Sequence, residues 1–362
     1  MNESWNIPQV DGIELMFDYI DKQFNKKIID VTTKPLGVGE GFLSNLLLWT
    51  VVFSDNYTFK FVSKSQPKEH DLLELIAECH RKELAFYRNT KGKFTCTCET
   101  YTDLTSNTIF LEYLENYSIP SFIEGLTEDE ATLTVSEIAK FHAQSWVYPN
   151  EIKNPHPWCI KDTDYVSISL FTQNVLFLQN FVLSWPKLIF YSKIKLVNEF
   201  IGQEKYDKIA KLFNKLEEQF QEYLVLPEST SLSRCVSHGD FWCNNIMINK
   251  QSKSCKIIDW QFVGFQNGLA DLGTLLSTST NVDLRKTQEK EWLTTYYNNL
   301  ESSGVKSSLF SFETCWEEYT KSKVHALLIF IVSFDAFVTK ENAHNLIPRF
   351  LYLCDEVMQI DL

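Results

Sequence analysis

The chain has 362 residues, of which 44% are hydrophobic and 22% are charged, and its formal net charge is −13. That length predicts two packed units or one large two-lobed domain, and the 14% aromatic content argues against a disordered or collagen-like chain. The acidic balance disfavours a protein whose main partner is nucleic acid or anionic lipid, because both attract net positive charge. A small anionic ligand is still compatible with this composition, because a few local cations or backbone amides can bind it.

The sequence predicts neither a membrane-spanning segment nor a secretion signal. Its longest apolar stretches, at 46–53 and 326–334, fall short of the roughly 18 to 20 residues that a membrane-spanning helix needs. Residues 1–5 do not combine a basic segment with a following apolar one. We therefore expect no membrane span and a cytoplasmic location.

The first part of the chain carries a glycine-rich loop and a set of β-favouring runs. Three glycines, Gly37, Gly39 and Gly41, lie close together ahead of these runs. The runs that predict strands are rich in apolar and β-favouring residues and lie at 46–53, 57–62 and 108–114. The polar residues 54–56 predict a short turn between the first two strands.

One helix and a linker complete this first part. Apolar residues recur at helical spacing over 71–87, with charged residues between them, which predicts a helix with one buried face. The polar segment 115–118 is typical of a linker. We therefore expect a first lobe over 1–115 and a second lobe over 116–362.

The second part of the chain is predicted to be mainly helical. Thr127 followed three residues later by Glu130 has the form of a capping box, which predicts a helix that begins near Glu128. The segments 149–227 and 268–362 also have mainly helical patterns.

A stretch between these helical segments holds the residues that carry chemistry. Strand-like runs at 246–248 and 255–258 enclose a polar turn and predict a β-hairpin. The hairpin would fold Asp259 back beside Asn245, which brings together two hard oxygen ligands of the kind that Mg²⁺ prefers. Asp240 lies on the preceding loop, where it can orient a substrate hydroxyl and accept its proton.

These motifs resemble those of a known group of kinases. The string His238-Gly239-Asp240, then Asn245, then Ile258-Asp259, resembles the catalytic and metal-binding motifs of the aminoglycoside-phosphotransferase and choline-kinase superfamily. Within it, four stretches are most similar to the CHK kinase-like group, which contains the insect ecdysteroid-kinase-like proteins and a nematode branch, and they lie at 39–44, 141–146, 238–245 and 258–261. The resemblance implies a protein-kinase-like α+β fold, with a small N-lobe built on an antiparallel sheet and a larger, mainly helical C-lobe.

The resemblance also implies a strand lysine that binds the α- and β-phosphates of ATP and is held by a helix glutamate. Lys60, in the middle of the second predicted strand, is the best match for the lysine, and Lys64 is the alternative. Glu83 is the best match for the glutamate, although a shift of helix register would exchange it with Glu78.

The remaining nucleotide contacts implied by the resemblance come from backbone groups. The loop with Gly37, Gly39 and Gly41 would cover the phosphates with its amides. Glu112 and Leu114 lie in a segment similar to the hinge whose backbone groups bind adenine.

Several polar residues near these motifs have a structural interpretation. His238 is expected to brace the catalytic loop, because the family places the proton acceptor at the aspartate. Asp271 resembles a family position that caps a helix or braces the same loop. His142 and Trp146 lie one helical turn apart, so both could face a core or a substrate cleft, and we expect core packing.

The function implied is an ATP- and Mg²⁺-dependent transfer of phosphate to a hydroxyl of a small molecule, such as an ecdysteroid or another alcohol. Choline is disfavoured because Gln261 stands where choline kinases carry a glutamate. A protein kinase is disfavoured because His238-Gly239-Asp240, and the lack of an Asp-Phe-Gly sequence after the hairpin, depart from that pattern. The alternative from another class is a pseudokinase or ligand-binding module that keeps the fold without turnover.

Overall fold

The structure is a computed structural model that describes residues 7–37, 44–67, 73–101, 107–146, 202–218 and 234–360. The chain divides into two units, the first with residues 1–117 and 256–262, and the second with residues 118–255 and 263–362. Gly39, Gly41 and most of the predicted helical segment 149–227 lie outside the described residues.

The first unit is built on an antiparallel sheet. Its helices and strands are, in chain order, α1 (Ile13–Phe24), β1 (Ile28–Leu36), β2 (Asn45–Phe53), β3 (Thr58–Ser65), α2 (Leu73–Thr90) and β4 (Ile109–Glu112). The four strands pair in the order β1-β2-β3-β4. The three predicted strands and the predicted helix are confirmed, whereas α1 and β1 precede the first segment whose pattern predicted an element.

The core of the first unit lies against one face of this sheet. Met16 and Ile20 of α1 are fully buried and belong to the same apolar cluster as Trp49 and Phe61, whose rings stack with 5.6 Å between their centres. The indole nitrogen of Trp49 donates to the hydroxyl of Ser63 at 2.8 Å, so the buried polar group is satisfied. Because side chains alternate along a strand, the even-numbered residues of β3 point to the opposite face.

The segment 256–262 belongs to the first unit, although the expected division placed it in the second lobe. The reason is direct bonding and packing within that unit. The amide of Ile257 donates to the carbonyl of Cys96 at 2.7 Å. The ring of Trp260 stacks on Phe86 of α2 with 4.1 Å between ring centres.

The second unit is mainly helical. The helices and strands from residue 118 onward are α3 (Glu128–Ala143), α4 (Gln203–Glu218), β5 (Cys235–Ser237), β6 (Ile246–Asn249), β7 (Ser254–Ile257), β8 (Gly264–Gln266), α5 (Leu269–Ser279), α6 (Val282–Ser302), α7 (Phe312–Phe337) and α8 (Ala343–Val357). The last two residues of β7 are counted in the first unit. β6 and β7 form a two-stranded sheet, which confirms the predicted hairpin, and β5 pairs with β8. The predicted α+β composition is therefore confirmed.

Two helices of this unit show how the sequence sets their ends and their packing. Thr127 caps α3: its hydroxyl accepts from the amide of Glu130 at 3.3 Å, and the Glu130 carboxylate accepts from the amide of Thr127 at 2.9 Å, which confirms the capping box. His142 and Trp146, at the end of that helix, are buried as expected. α5 is buried along its whole length, and Gly273 lets it approach α7 closely.

None of the helices within the described ranges is long and apolar enough to span a membrane.

Candidate functional site

A charged cluster in the first unit joins three segments that are distant in the sequence. The ammonium of Lys64, on β3, lies 2.7 Å from Glu83 Oε2 on α2 and 2.5 Å from Asp259 Oδ1, two residues beyond β7. The side chains of Lys64 and Glu83 are buried, whereas that of Asp259 is 38% exposed. Glu78, the other candidate glutamate, instead pairs with Arg81 one turn along the same helix. The cluster therefore consists of one buried cation held between a buried and a partly exposed carboxylate.

The expected pairing of Lys60 with Glu83 is wrong, and Lys64 takes that place. Lys60 forms an ion pair with Glu115, and its ammonium lies 5.6 Å from the ring centre of Tyr113. Lys60 and Lys64 point to the same face of β3 but lie about 13 Å apart along the strand, at 3.3 Å per residue. The position along the strand, rather than the face, decides which lysine reaches α2.

The charges in this cluster keep Lys64 protonated. Burial alone would lower the pKa of Lys64, but the carboxylates of Asp259 and Glu83 outweigh burial and raise it. Burial raises the pKa of Glu83 to about 7, against the opposing effect of the nearby Lys64 ammonium. A lysine that stays charged at neutral pH, with one carboxylate that reaches solvent beside it, is suited to bind a phosphate group together with a metal ion.

Asp259 is held in place by both its backbone and its side chain. Its φ angle is +64°, in the left-handed region, which costs a non-glycine residue about 1 to 2 kcal/mol. Gln261 Nε2, in the short 3₁₀-helix that follows, donates to Asp259 Oδ1 at 2.5 Å and to the hydroxyl of Ser44 at 3.3 Å. The amide of Trp260 donates to Glu83 Oε1 at 3.2 Å. The backbone conformation of Asp259 and the hydrogen bonds made by Gln261 and Trp260 therefore fix the position of the Asp259 carboxylate next to Lys64.

The other described residues of the first unit that are predicted to contact the nucleotide lie at or just beyond the ends of strands. Gly37 directly follows β1 with a φ of +62°, a conformation that favours glycine. Glu112 ends β4, and its Oε1 lies 3.0 Å from Lys256 Nζ and accepts from the amide of Glu99 at 2.9 Å. Leu114, two residues further on, is buried. The side chain of Glu112 is thus committed to structure, which leaves only its backbone for the predicted contact with adenine.

In the second unit, hydrogen bonds within the loop hold the predicted catalytic residues Asp240 and Asn245 together. The side-chain nitrogen Nδ2 of Asn245 donates to the backbone carbonyl of Asp240 at 2.7 Å and to Asp240 Oδ2 at 3.0 Å. His238 Nδ1 accepts from the backbone amide of Asp240 at 3.3 Å, which agrees with the expected bracing role of this histidine. Because Asn245 uses its amide nitrogen to hold the loop, its amide oxygen is the atom that can bind a cation.

Asp271, at the start of α5, braces the beginning of this loop. Its carboxylate accepts from the backbone amides of His238 at 2.6 Å and Gly239 at 2.9 Å. It also lies 3.2 Å from His142 Nε2, and His142 Nδ1 lies 2.9 Å from the hydroxyl of Tyr296. Burial acts to raise the pKa of Asp271, but its hydrogen bond and charge interaction with His142, together with the bond from His238, outweigh burial and lower it. Asp271 therefore stays ionised and fixes the loop through two backbone hydrogen bonds.

Two polar contacts at these clusters were not identified in the sequence. Gln261 was noted only as a departure from choline kinases, yet its amide holds the Asp259 carboxylate. Ser279, at the end of α5, accepts from the amide of Cys243 at 3.0 Å, inside the loop that contains Asp240 and Asn245. A serine in the last turn of a buried helix gives no sequence signal for such a contact.

Comparisons with known sequences agree with the predicted family. A model of the ecdysteroid kinase-like family matches residues 39–306. Among curated proteins, the chain is similar to the uncharacterized oxidoreductase dhs-27 of Caenorhabditis elegans, with 21% identity over 313 residues. That match takes in 77% of this chain but 36% of the other protein, so the chain spans about a third of the length of this relative.

Solved structures of two phosphotransferases are also similar to this chain. An ethanolamine kinase of Plasmodium vivax is 15% identical, with a TM-score of 0.49, and the match covers 96% of this chain and 91% of that one. A macrolide 2′-phosphotransferase type I is 14% identical, with a TM-score of 0.39, and the match covers 94% of this chain and 97% of that one.

Proposed function

We propose that this chain, which belongs to the ecdysteroid kinase-like family, transfers the γ-phosphate of ATP to a hydroxyl group of a small molecule with the help of Mg²⁺. The observation that carries the proposal is the buried pair of Lys64 and Glu83 with Asp259 beside it. Phosphoryl transfer depends mainly on positioning and on neutralising negative charge, and this cluster supplies a fixed cation and a carboxylate for a metal ion.

Lys64 is the residue proposed to bind the α- and β-phosphates. Its ammonium is protonated and is held by Glu83, so it needs little reorganisation to meet an anion. In this proposal the backbone amides of the loop with Gly37, Gly39 and Gly41 cover the phosphates.

The adenine base is proposed to bind to backbone groups at the end of β4. Glu112 and Leu114 are the residues concerned, and the side chain of Glu112 is already engaged with Lys256. A base bound through the backbone does not depend on the identity of these side chains.

Asn245 and Asp259 are proposed to hold Mg²⁺. The ion, when bound, would neutralise the charge on the phosphates. The donor set fits this ion, because both residues offer hard oxygen atoms and Mg²⁺ keeps several waters of its own. Among the described residues, no group of three or more acidic, cysteine or histidine side chains is arranged to hold a metal ion.

Asp240 is proposed to orient the acceptor hydroxyl and to take up its proton. Its Oδ2 accepts from Asn245, which fixes the rotation of the carboxylate, while the loop around it is braced by Asp271. The proposed acceptor is an ecdysteroid or another alcohol. Choline is still disfavoured, because Gln261 offers an amide where choline kinases offer a charged glutamate.

The experiment is phosphate transfer by the purified chain from γ-labelled ATP to a panel of ecdysteroids, choline, ethanolamine and simple alcohols. We expect a Mg²⁺-dependent phosphorylated product from at least one alcohol, identified by mass spectrometry. Tight binding of Mg·ATP without transfer to any member of the panel would favour the ligand-binding alternative. A chain that neither binds Mg·ATP nor transfers phosphate would contradict both.

A further inference from the structure

Arg349, on α8, is a buried cation whose hydrogen bonds all go to neutral groups. Only 2% of the surface of Arg349 is exposed to solvent. Nη1 donates to the carbonyl of Phe122 at 2.6 Å and to that of Thr278 at 3.3 Å, and Nη2 donates to the carbonyl of Ile123 at 2.6 Å. Burial lowers the pKa of Arg349 to about 10, so the guanidinium is still charged at neutral pH.

Arg285, on α6, shows what a buried arginine in the same unit looks like when its charge is paired. It forms an ion pair with Glu356, and its Nε lies 3.9 Å from Glu289 Oε1. Within the described ranges, by contrast, no carboxylate lies within ion-pair distance of Arg349. Burying a charge without an ion-pair partner is costly, and the more distant Glu124 carboxylate opposes burial only in part, so the bonds that Arg349 makes to backbone carbonyls have to offset the rest of that cost.

The carbonyls that Arg349 binds lie at the carboxyl end of α5 and in the segment before α3. Thr278 is in the last turn of α5, where carbonyls lack partners within the helix and the helix dipole is negative. The other two carbonyls, of Phe122 and Ile123, come just before Gly125, where the backbone passes close to Arg349 and to the end of α5. A Cβ on Gly125 would lie 2.9 Å from Arg349 Nη2 and 3.0 Å from the carbonyl oxygen of Ser279. That carbonyl accepts from the amide of Leu126 at 2.7 Å. Arg349 therefore joins the end of α5 to the segment before α3.

α5 holds the catalytic loop at both ends. Asp271, in its first turn, binds the amides of His238 and Gly239. Ser279, its last residue, binds the amide of Cys243 through its hydroxyl at 3.0 Å. These two contact points are about 12 Å apart along the helix, at 1.5 Å per residue. A displacement of the carboxyl end of α5 would therefore move the part of the loop that carries Asn245.

We propose that Arg349 is a positioning residue for the catalytic loop: it fixes the carboxyl end of α5 and, through Ser279, the position of Cys243 and Asn245. The inference rests on the proposed function, because the loop matters for rate only if Asp240 and Asn245 act in phosphate transfer. Arg349 acts through Ser279 rather than on a substrate.

The first test compares two serines of the same buried helix. Ser279→Ala removes the acceptor for the Cys243 amide. Ser277→Ala is the matched control, because the Ser277 hydroxyl is buried and has no hydrogen-bond partner among the described residues. We expect Ser279→Ala to lower kcat about 3- to 10-fold, the effect of losing one hydrogen bond, and to change the KM for Mg·ATP by a smaller factor. Ser277→Ala should leave both constants unchanged.

The second test compares the two buried arginines and does not depend on activity. Hydrogen exchange is measured on a peptide that covers residues 241–247 in Arg349→Lys and in Arg285→Lys. Both variants should be less stable than the wild type, since each loses a guanidinium fork. Only Arg349→Lys should make the loop exchange faster, by about 10-fold, because a single compact ammonium cannot reproduce the two separate guanidinium nitrogens that bind the three carbonyls.

The outcomes separate this inference from the proposed function. The inference is overturned, and the proposed function stands, if the wild type transfers phosphate, Ser279→Ala has the kcat of the wild type and Arg349→Lys has the loop exchange rate of the wild type. If the wild type transfers no phosphate, the proposed function fails, but the hydrogen exchange of the loop still tests whether Arg349 positions it. Faster exchange in Arg349→Lys alone supports the positioning role, and equal exchange in both arginine variants overturns it.

Discussion

The two candidate clusters are held together by different kinds of interaction. In the first unit, charged side chains from three distant segments meet at the ammonium of Lys64. In the second unit, Asp240 and Asn245 are near neighbours in the sequence, and the backbone amides of their loop are bound by Asp271 and Ser279. Charge pairs depend on protonation, whereas hydrogen bonds to backbone amides depend on distance and direction. Substitutions that change charge should therefore affect the first cluster most, and substitutions that change geometry should affect the second.

The largest expected effect comes from Asp240→Asn. If this carboxylate accepts the proton of the acceptor hydroxyl, kcat should fall by about 10²- to 10⁴-fold, the usual contribution of a general base. Binding of Mg·ATP should be nearly unchanged, since Lys64 and Glu83 are intact. Initial rates and titration calorimetry would measure both quantities. A variant with the rate of the wild type would remove Asp240 from the mechanism.

Asp271→Asn tests the geometry of the second cluster. An amide offers one acceptor oxygen where the carboxylate offers two, so the free energy of unfolding should fall by about 3 kcal/mol at pH 7. The lowered pKa of Asp271 means that its stabilising contribution is present above its ordinary value of 3.8 and is lost as the pH falls below it. Urea unfolding at pH 7 and pH 3.5 should show a smaller difference at the lower pH.

The control for this substitution is Asp355→Asn, which removes an exposed carboxylate paired with Lys205. Exposed pairs contribute little, so this variant should change the free energy of unfolding by less than about 1 kcal/mol. Equal effects of the two variants would mean that Asp271 is not the brace described above.

Glu83→Gln tests the charge balance of the first cluster. The pKa of Glu83 is raised to about 7, so the folded chain binds this proton more tightly than the unfolded chain. Ionisation of Glu83 therefore costs stability as the pH rises from about 5 to 8. Over that range the wild type should lose about 2 kcal/mol relative to Glu83→Gln. Glu78→Gln, on the same helix, should follow the wild type, and parallel curves for all three proteins would contradict the shift.

Those parts of the fold and site that depend on neighbouring residues could be predicted from the sequence. Thr127 and Glu130 form a capping box at the start of α3. The β6–β7 hairpin follows from two short strand-like runs and the polar turn between them. The loop from His238 to Asn245 is equally local. In each case the partners lie within a few residues, so the pattern itself carries the information.

Contacts between distant segments could not be predicted in the same way. Lys60 and Lys64 are four residues apart on β3, so the alternation of side chains along a strand places both on the same face of the sheet. The partners that distinguish them are Glu83, on a later helix, and Asp259, which is far along the chain. Arg349 carries no motif at all, because its acceptors are backbone carbonyls that any sequence would provide.

The role of Lys64 in binding the nucleotide phosphates is tested by comparing Lys64→Met with Lys60→Met in thermal unfolding with ATP, with and without Mg²⁺. A ligand that binds only the folded chain raises Tm by mass action. We expect a Mg²⁺-dependent rise in Tm for the wild type and for Lys60→Met, and no rise for Lys64→Met. A rise that survives in Lys64→Met, or that is lost in Lys60→Met, would contradict the assignment of Lys64 as the residue that binds the nucleotide phosphates.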